Sequence, residues 1–252
     1  MSEIVVVTAS AGSLPGLTPA LRAIPIVVEE HPLMSFAEPD DWAPVDRALG
    51  RVNGYRAVAF TSPRAAQALA NRVRRLGISW LRDGSAPLVW AGGPATEAAL
   101  EGVLGAVRRP ADSANERWGA AGALGRAMLE AGTGSPVLFA CGETRREELA
   151  RRLRAGGVEV DEVVCYRSVL ASEATARAAA MRATVLVVTS PRVAELLAAA
   201  CPPGRRPDLV AVGPTTAQSA REVGWQPAAA AESPTAEAVS AAVQSAVAQR
   251  CA

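Results

Sequence analysis

Short runs of β-branched and aliphatic residues punctuate the chain at Ile4 to Thr8, Ile24 to Val28, Val58 to Thr61, Leu88 to Ala91, Val137 to Ala140, Val158 to Tyr166, Val185 to Thr189 and Leu209 to Val212. Apart from Val158 to Tyr166, which carries Glu159, Asp161 and Glu162, these runs are apolar on successive positions, which predicts buried strands. Between most of them lie amphipathic stretches rich in Ala, Leu and Arg, at Pro63 to Leu76, Arg117 to Ala131, Glu143 to Ala155, Pro191 to Ala200 and Thr235 to Gln249. Strand and helix therefore alternate, and the fold class is α/β with parallel sheets flanked by helices.

The pattern also repeats. Residues 58–69, VAFTSPRAAQAL, return as LVVTSPRVAELL at 186–197, and LVWAGGPATEAAL at 88–100 is echoed by LVAVGPTTAQSA at 209–220. In each half a further polar turn, through Ser113 or Ser233, leads into an Ala-rich helix. Three matched elements in one order describe a duplicated unit, so two similar domains are expected. The first copy starts only after an extra strand-helix-strand. If that opening segment completes the sheet of the second copy, one domain comprises residues 1–34 plus 170–252 and the other is an insertion of 35–169. The Pro-rich acidic segment Pro32 to Pro39 and the segment Cys165 to Ser172 would carry the two crossings. A cleft between such domains is a favoured ligand site.

Composition narrows the chemistry. The 252 residues suffice for two cores, half of them are apolar, and the formal net charge is +1, which gives no polyanion-binding surface for nucleic acid. The start of the chain has no basic n-region or long apolar run, and no apolar tract is free of charge for long enough to span a membrane. The expected setting is therefore cytoplasmic. Cys141, Cys165, Cys201 and Cys251 form no CxxC pair, so reduced thiols and no metal site are expected. All 26 basic residues are Arg, which removes Schiff-base chemistry and a Walker-A phosphate loop. His31 stands alone, which leaves little scope for a His-paired nucleophile.

The candidate residues fall in turns. Ser62 and Ser190 precede Pro63 and Pro191, a placement that suits simple helix capping. The same turns, with Thr61 and Thr189, stand at the carboxyl ends of strands, where helix amides form anion sites. Gly93-Pro-Ala-Thr96 and Gly213-Pro-Thr215-Thr216 have the same character. Gly142 could bring backbone amides to a ligand, and the nearby Arg145 or Arg146 could pair either with a ligand carboxylate or with a neighbouring Glu. Cys141 has no nearby base to make it a nucleophile. Tyr166 is one of two tyrosines, and a phenol can donate a hydrogen bond to a departing hydroxyl without carrying charge; core packing is its alternative, and the one kept for Tyr55.

Taken in order, these motifs, with Glu162-Val-Val-Cys-Tyr-Arg-Ser168 and Ala231-Glu-Ser-Pro-Thr235, resemble the uroporphyrinogen-III synthase family over nearly the whole chain. The resemblance implies two α/β domains joined by a two-stranded connector. It also implies a cofactor-free, monomeric hydro-lyase that cyclises hydroxymethylbilane with loss of water and inversion of ring D, through a spiro-pyrrolenine in the family's usual mechanism. Tyr166 matches the family tyrosine that assists loss of the hydroxyl, and Thr216 a threonine near the site. Thr61, Ser62, Thr96, Gly142, Thr189, Ser190 and Thr215 would hold acetate and propionate groups. The chain departs from the family at Ala9 and Cys141, where basic residues are common, and at Ser168, where Thr is frequent. A non-catalytic relative that binds a tetrapyrrole or other polyanion is the alternative.

Overall fold

The structure is a computed structural model, and it describes residues 3–78, 86–110, 119–145 and 147–251. Ser113 and Arg146, singled out above, lie outside the described residues. The chain divides into two compact units, Met1–Ser35 with Val169–Ala252, and Phe36–Ser168.

The first unit is built on five strands, β1 (Ile4–Val7), β2 (Val27–Glu30), β9 (Val185–Val188), β10 (Asp208–Ala211) and β11 (Ala229–Ala230). They lie in the order β11-β10-β9-β1-β2, every ladder parallel. The opening strand thus pairs with the strand of the second repeat copy. Helices α7 (Glu173–Arg182), α8 (Pro191–Ala200) and α9 (Pro214–Glu222) bury Ala176, Val193, Leu197 and Ala217 against Val6, Leu186 and Leu209 on one face. On the other face α1 (Leu17–Arg22) and α10 (Ala236–Cys251) bury Leu17, Leu21, Val239 and Val243 against Val5, Val185 and Val210. Coverage on both sides is why β9 reads VLVV with every residue buried.

The second unit has the strand order β3-β8-β7-β4-β5-β6. Its strands are β3 (Met34–Ala37), β4 (Ala57–Phe60), β5 (Leu88–Ala91), β6 (Val107–Arg108), β7 (Val137–Gly142) and β8 (Val160–Leu170). The ladders from β8 through β6 are parallel. Helices α2 (Ala43–Gly50), α3 (Pro63–Arg75) and α4 (Pro94–Ala98) accompany one core, around Phe60, Leu69 and Leu138. Helices α5 (Gly119–Glu130) and α6 (Glu148–Ala155) cover the other, around Phe139, Leu124 and Leu149. Both unit boundaries fall inside β3 and β8, neighbours in this sheet.

Two sequence expectations shift. The strand expected at Ile24 to Val28 begins at Val27, beyond Pro25, which has no N–H to give a ladder. The helix expected from Glu143 starts at Glu148, because Gly142 and Glu143 still belong to the ladder: the Glu143 amide donates to the Tyr166 carbonyl at 2.9 Å. Both crossing segments contain strand, as the two-stranded connector implied by the resemblance requires: β3 lies within Pro32 to Pro39 and β8 runs on to Leu170.

Candidate functional site

In a parallel sheet all strands point the same way, so whatever follows them gathers at one edge. In the second unit β8, β7, β4 and β5 are consecutive neighbours; Gly142, Thr61 with Ser62, and Gly93 through Thr96 stand at or just after the carboxyl ends of β7, β4 and β5, and Tyr166, inside β8, is paired with Gly142 at the end of β7. In the first unit Thr189 with Ser190, and Gly213 through Thr216, follow the adjacent strands β9 and β10. The structure therefore brings the expected residues together as two groups, one at each sheet's carboxyl edge. Thr96 and Thr216 are both buried.

The most organised group surrounds Tyr166. Cys141 pairs with Val164 across the β7–β8 ladder, yet the next residue, Gly142, pairs with Tyr166, so β8 carries one extra residue at this point. Such a bulge re-aims a side chain. Tyr166 consequently packs against the same core cluster as Val163 and Cys165 and comes to lie over Gly142. A Cβ at position 142 would stand 2.6 Å from Tyr166 Cζ and 2.9 Å from its hydroxyl oxygen, so glycine is needed here for space.

Three further contacts hold the ring. The Tyr166 hydroxyl lies 3.2 Å from Ser62 Oγ, and either oxygen can donate. The Phe36 ring meets Tyr166 edge to face, with centroids 5.8 Å apart and planes at 67°. The Arg64 guanidinium sits 3.6 Å from the Phe36 centroid, in cation–π contact. Burial depresses the Arg64 pKa, and the neighbouring Tyr166 oxygen acts in the opposite direction.

Ser62 does not cap α3. It occupies the capping position in extended conformation but accepts no hydrogen bond from the helix, whereas Ser190 accepts from the Val193 amide at 3.3 Å. The capping expectation thus holds for one copy and fails for the other, whose hydroxyl faces Tyr166 instead. Phe36 and Arg64 were not among the expected site residues. The Pro-Arg start shared by both repeat helices was the available signal for Arg64, while nothing in the sequence pairs Phe36 with Tyr166.

Other candidates resolve into structure. Arg145 donates to Glu162 Oε2 at 2.6 Å, and Arg154 donates to Glu162 Oε1 at 2.8 Å. Burial pushes the Glu162 carboxyl up, but these hydrogen bonds outweigh it and hold the carboxyl below its ordinary range. The Cys141 thiol is buried and its pKa is pushed up to about 12 by desolvation, which leaves it inert as a nucleophile. The Tyr55 hydroxyl donates to Asp161 at 2.7 Å, and burial foremost, with that carboxylate, pushes its pKa up to about 12. Among the described residues no group of three or more His, Cys, Asp and Glu could hold a metal ion.

Two parallel α/β units with hydroxyl-bearing turns at their carboxyl edges define a two-domain α/β protein suited to anionic ligands. A mutant uroporphyrinogen III synthase from the extremely thermophilic bacterium Thermus thermophilus shares this fold at a TM-score of 0.63, with 15% identity over 98% of this chain and 100% of that one. The uroporphyrinogen-III synthetase of Helicobacter pylori does so at 0.61, with 18% identity over 99% and 100%. The family model for uroporphyrinogen-III synthase HemD matches residues 16–241, and the chain belongs to that family of cofactor-independent hydro-lyases in tetrapyrrole synthesis. Among curated proteins none matches the sequence significantly.

Proposed function

We propose that this protein closes hydroxymethylbilane to uroporphyrinogen III with Tyr166 as the group that assists departure of the hydroxyl. The observation that carries the assignment of Tyr166 is its phenol, held over Gly142 and 3.2 Å from Ser62 at the carboxyl edge of a parallel sheet. When Ser62 donates to the phenol oxygen, the phenol keeps its own proton for the leaving group. The C–O bond of the terminal hydroxymethyl group then breaks, its electron pair leaves with oxygen as water, and the adjoining pyrrole takes up the positive charge. Folding the bilane so that ring D presents its substituted carbon is a matter of positioning.

Thr61, Ser62, Thr96 and Gly142, with Thr189, Ser190 and Thr215, are proposed contacts for the substrate's carboxylates, largely through turn and helix-start amides. Thr216 is proposed beside the reacting end, in line with the family resemblance, from its buried place in the turn that follows β10. The reading makes the enzyme a cytoplasmic monomer with no nucleic-acid partner, supported by a formal net charge of +1; no helix among the described residues is long and apolar enough to cross a membrane. The test is to supply hydroxymethylbilane and resolve the product isomers after oxidation. Type III product is expected, and exclusive type I product, which forms without catalysis, overturns the reading.

A further inference from the structure

Both ends of the Tyr166 environment belong to a single turn of helix. Ser62 and Arg64 are the capping residue and the second residue of α3, and they reach the same phenol by different routes. Ser62 meets the hydroxyl directly, and Arg64 presses on Phe36, whose ring meets the Tyr166 ring edge to face. Phe36 comes from β3 and Tyr166 from β8, neighbouring strands of the sheet. Gly142 leaves room for the ring, since a Cβ there would stand 2.6 Å from Tyr166 Cζ. Ser62 makes no capping hydrogen bond to α3, so its hydroxyl is used on Tyr166 at the expense of a helix cap.

We propose that the first turn of α3 clamps Tyr166: Ser62 fixes the hydroxyl, Arg64 fixes the ring through Phe36, and all three are positioning residues for the phenol. A phenol free to swing about its side-chain torsions presents its proton to the leaving oxygen only part of the time. A phenol held at both ends presents it in each encounter. The guanidinium does a second thing in the same place, because a fixed positive charge near the phenol oxygen stabilises negative charge that gathers there as the proton moves toward the departing water. Proton and charge balance within the step: the phenol's proton goes to the hydroxyl that leaves as water, and the phenol regains a proton when the cyclised product loses one from carbon.

The clamp rests on Tyr166 acting in the reaction, so its test separates the two. A double-mutant cycle with Arg64→Gln and Tyr166→Phe is measured on hydroxymethylbilane, with kcat and KM determined separately. Arg64→Gln and Phe36→Leu are each expected to lower kcat by roughly tenfold with little change in KM, and to have no further effect once Tyr166 is Phe. Arg64→Lys restores part of the rate, since a cation over the ring remains while the planar stack is lost. Equal losses in both backgrounds overturn the clamp. So does a raised KM with kcat unchanged, which makes Arg64 a contact for a substrate carboxylate. A reading independent of turnover comes from fluorotyrosine incorporation. The two tyrosines give two fluorine resonances, with Tyr55 assigned through Tyr55→Phe. Phe36→Leu and Ser62→Ala should move the Tyr166 resonance and leave that of Tyr55 in place. An unmoved Tyr166 resonance contradicts the clamp even if the protein forms no type III product.

Discussion

The two Thr-Ser-Pro-Arg turns share four residues, a proline at the helix start and an extended serine, yet they do different things. At Ser190 the hydroxyl accepts from the Val193 amide and finishes α8; at Ser62 it leaves α3 uncapped and meets Tyr166. The surrounding strands explain the difference. The repeat aligns Val58 with Leu186, and their partners across the sheet are Leu138 and Val6, so counting four residues along each strand matches Gly142 with Ser10. Ser10 uses its hydroxyl on the Met34 carbonyl, and the strand beside it ends at Glu30 and runs into His31-Pro32. Gly142 instead leaves room for a phenol delivered by a bulged β8. A duplicated turn thus offers the same hydroxyl twice, and the neighbouring strand decides whether it caps a helix or serves a reactive group.

The sharpest break of this comparison is Gly142→Ala. A methyl 2.6 Å from Tyr166 Cζ must displace the ring, and kcat for type III product is expected to fall by roughly a hundredfold. Gly50→Ala is the control, since a Cβ there meets nothing within 4 Å and the position ends α2 rather than lying in a proposed site turn, so the rate should change little. Retained activity in Gly142→Ala would show that the ring's seat does not matter.

The serines give a crossed pattern. Ser190→Ala should cost about 1 kcal/mol of stability through the lost cap. Ser62→Ala removes no cap and should lower kcat severalfold with the unfolding midpoint nearly unchanged. Chemical denaturation and steady-state kinetics on both variants would detect the crossing; matching losses in the two would erase the distinction between the turns.

The smallest effect concerns the arginine pair on Glu162. A carboxyl held below its ordinary range in the folded protein adds stability above its unfolded pKa, and that stability is lost as pH falls through the depressed value. Glu162→Gln should therefore lower stability by roughly 0.5 kcal/mol at neutral pH, with the gap closing in acid; the loss is small because Arg145 and Arg154 are partly exposed and the solvent screens the pair. Thermal unfolding of wild type and variant across pH measures it, and a gap that widens in acid would contradict the ion pairing.

The parallel strands were legible because sheets covered on both faces need unbroken apolar runs, as in Val185 to Val188 and Val137 to Ala140. β3 was not, since Met34-Ser-Phe-Ala37 sits among prolines and acidic residues and becomes a strand by lying beside β8. Tyr166 stood out through rarity, and Gly142 through its place after a strand. Their contact was hidden because it depends on one extra residue in β8, a property of pairing between strands that neither strand carries alone. Phe36 and Arg64 were hidden for the same reason, as they converge across 28 residues of chain. The serine that surrenders its cap could not be told from the one that keeps it.

The most direct test of this account is the turnover of Tyr166→Phe on hydroxymethylbilane, with type III product resolved from type I and the unfolding midpoint recorded alongside. A phenylalanine keeps the ring against Gly142 and Phe36 and removes only the oxygen that meets Ser62. The account predicts that kcat falls by at least roughly tenfold with stability and KM little changed; an unchanged kcat would contradict it and return Tyr166 to core packing.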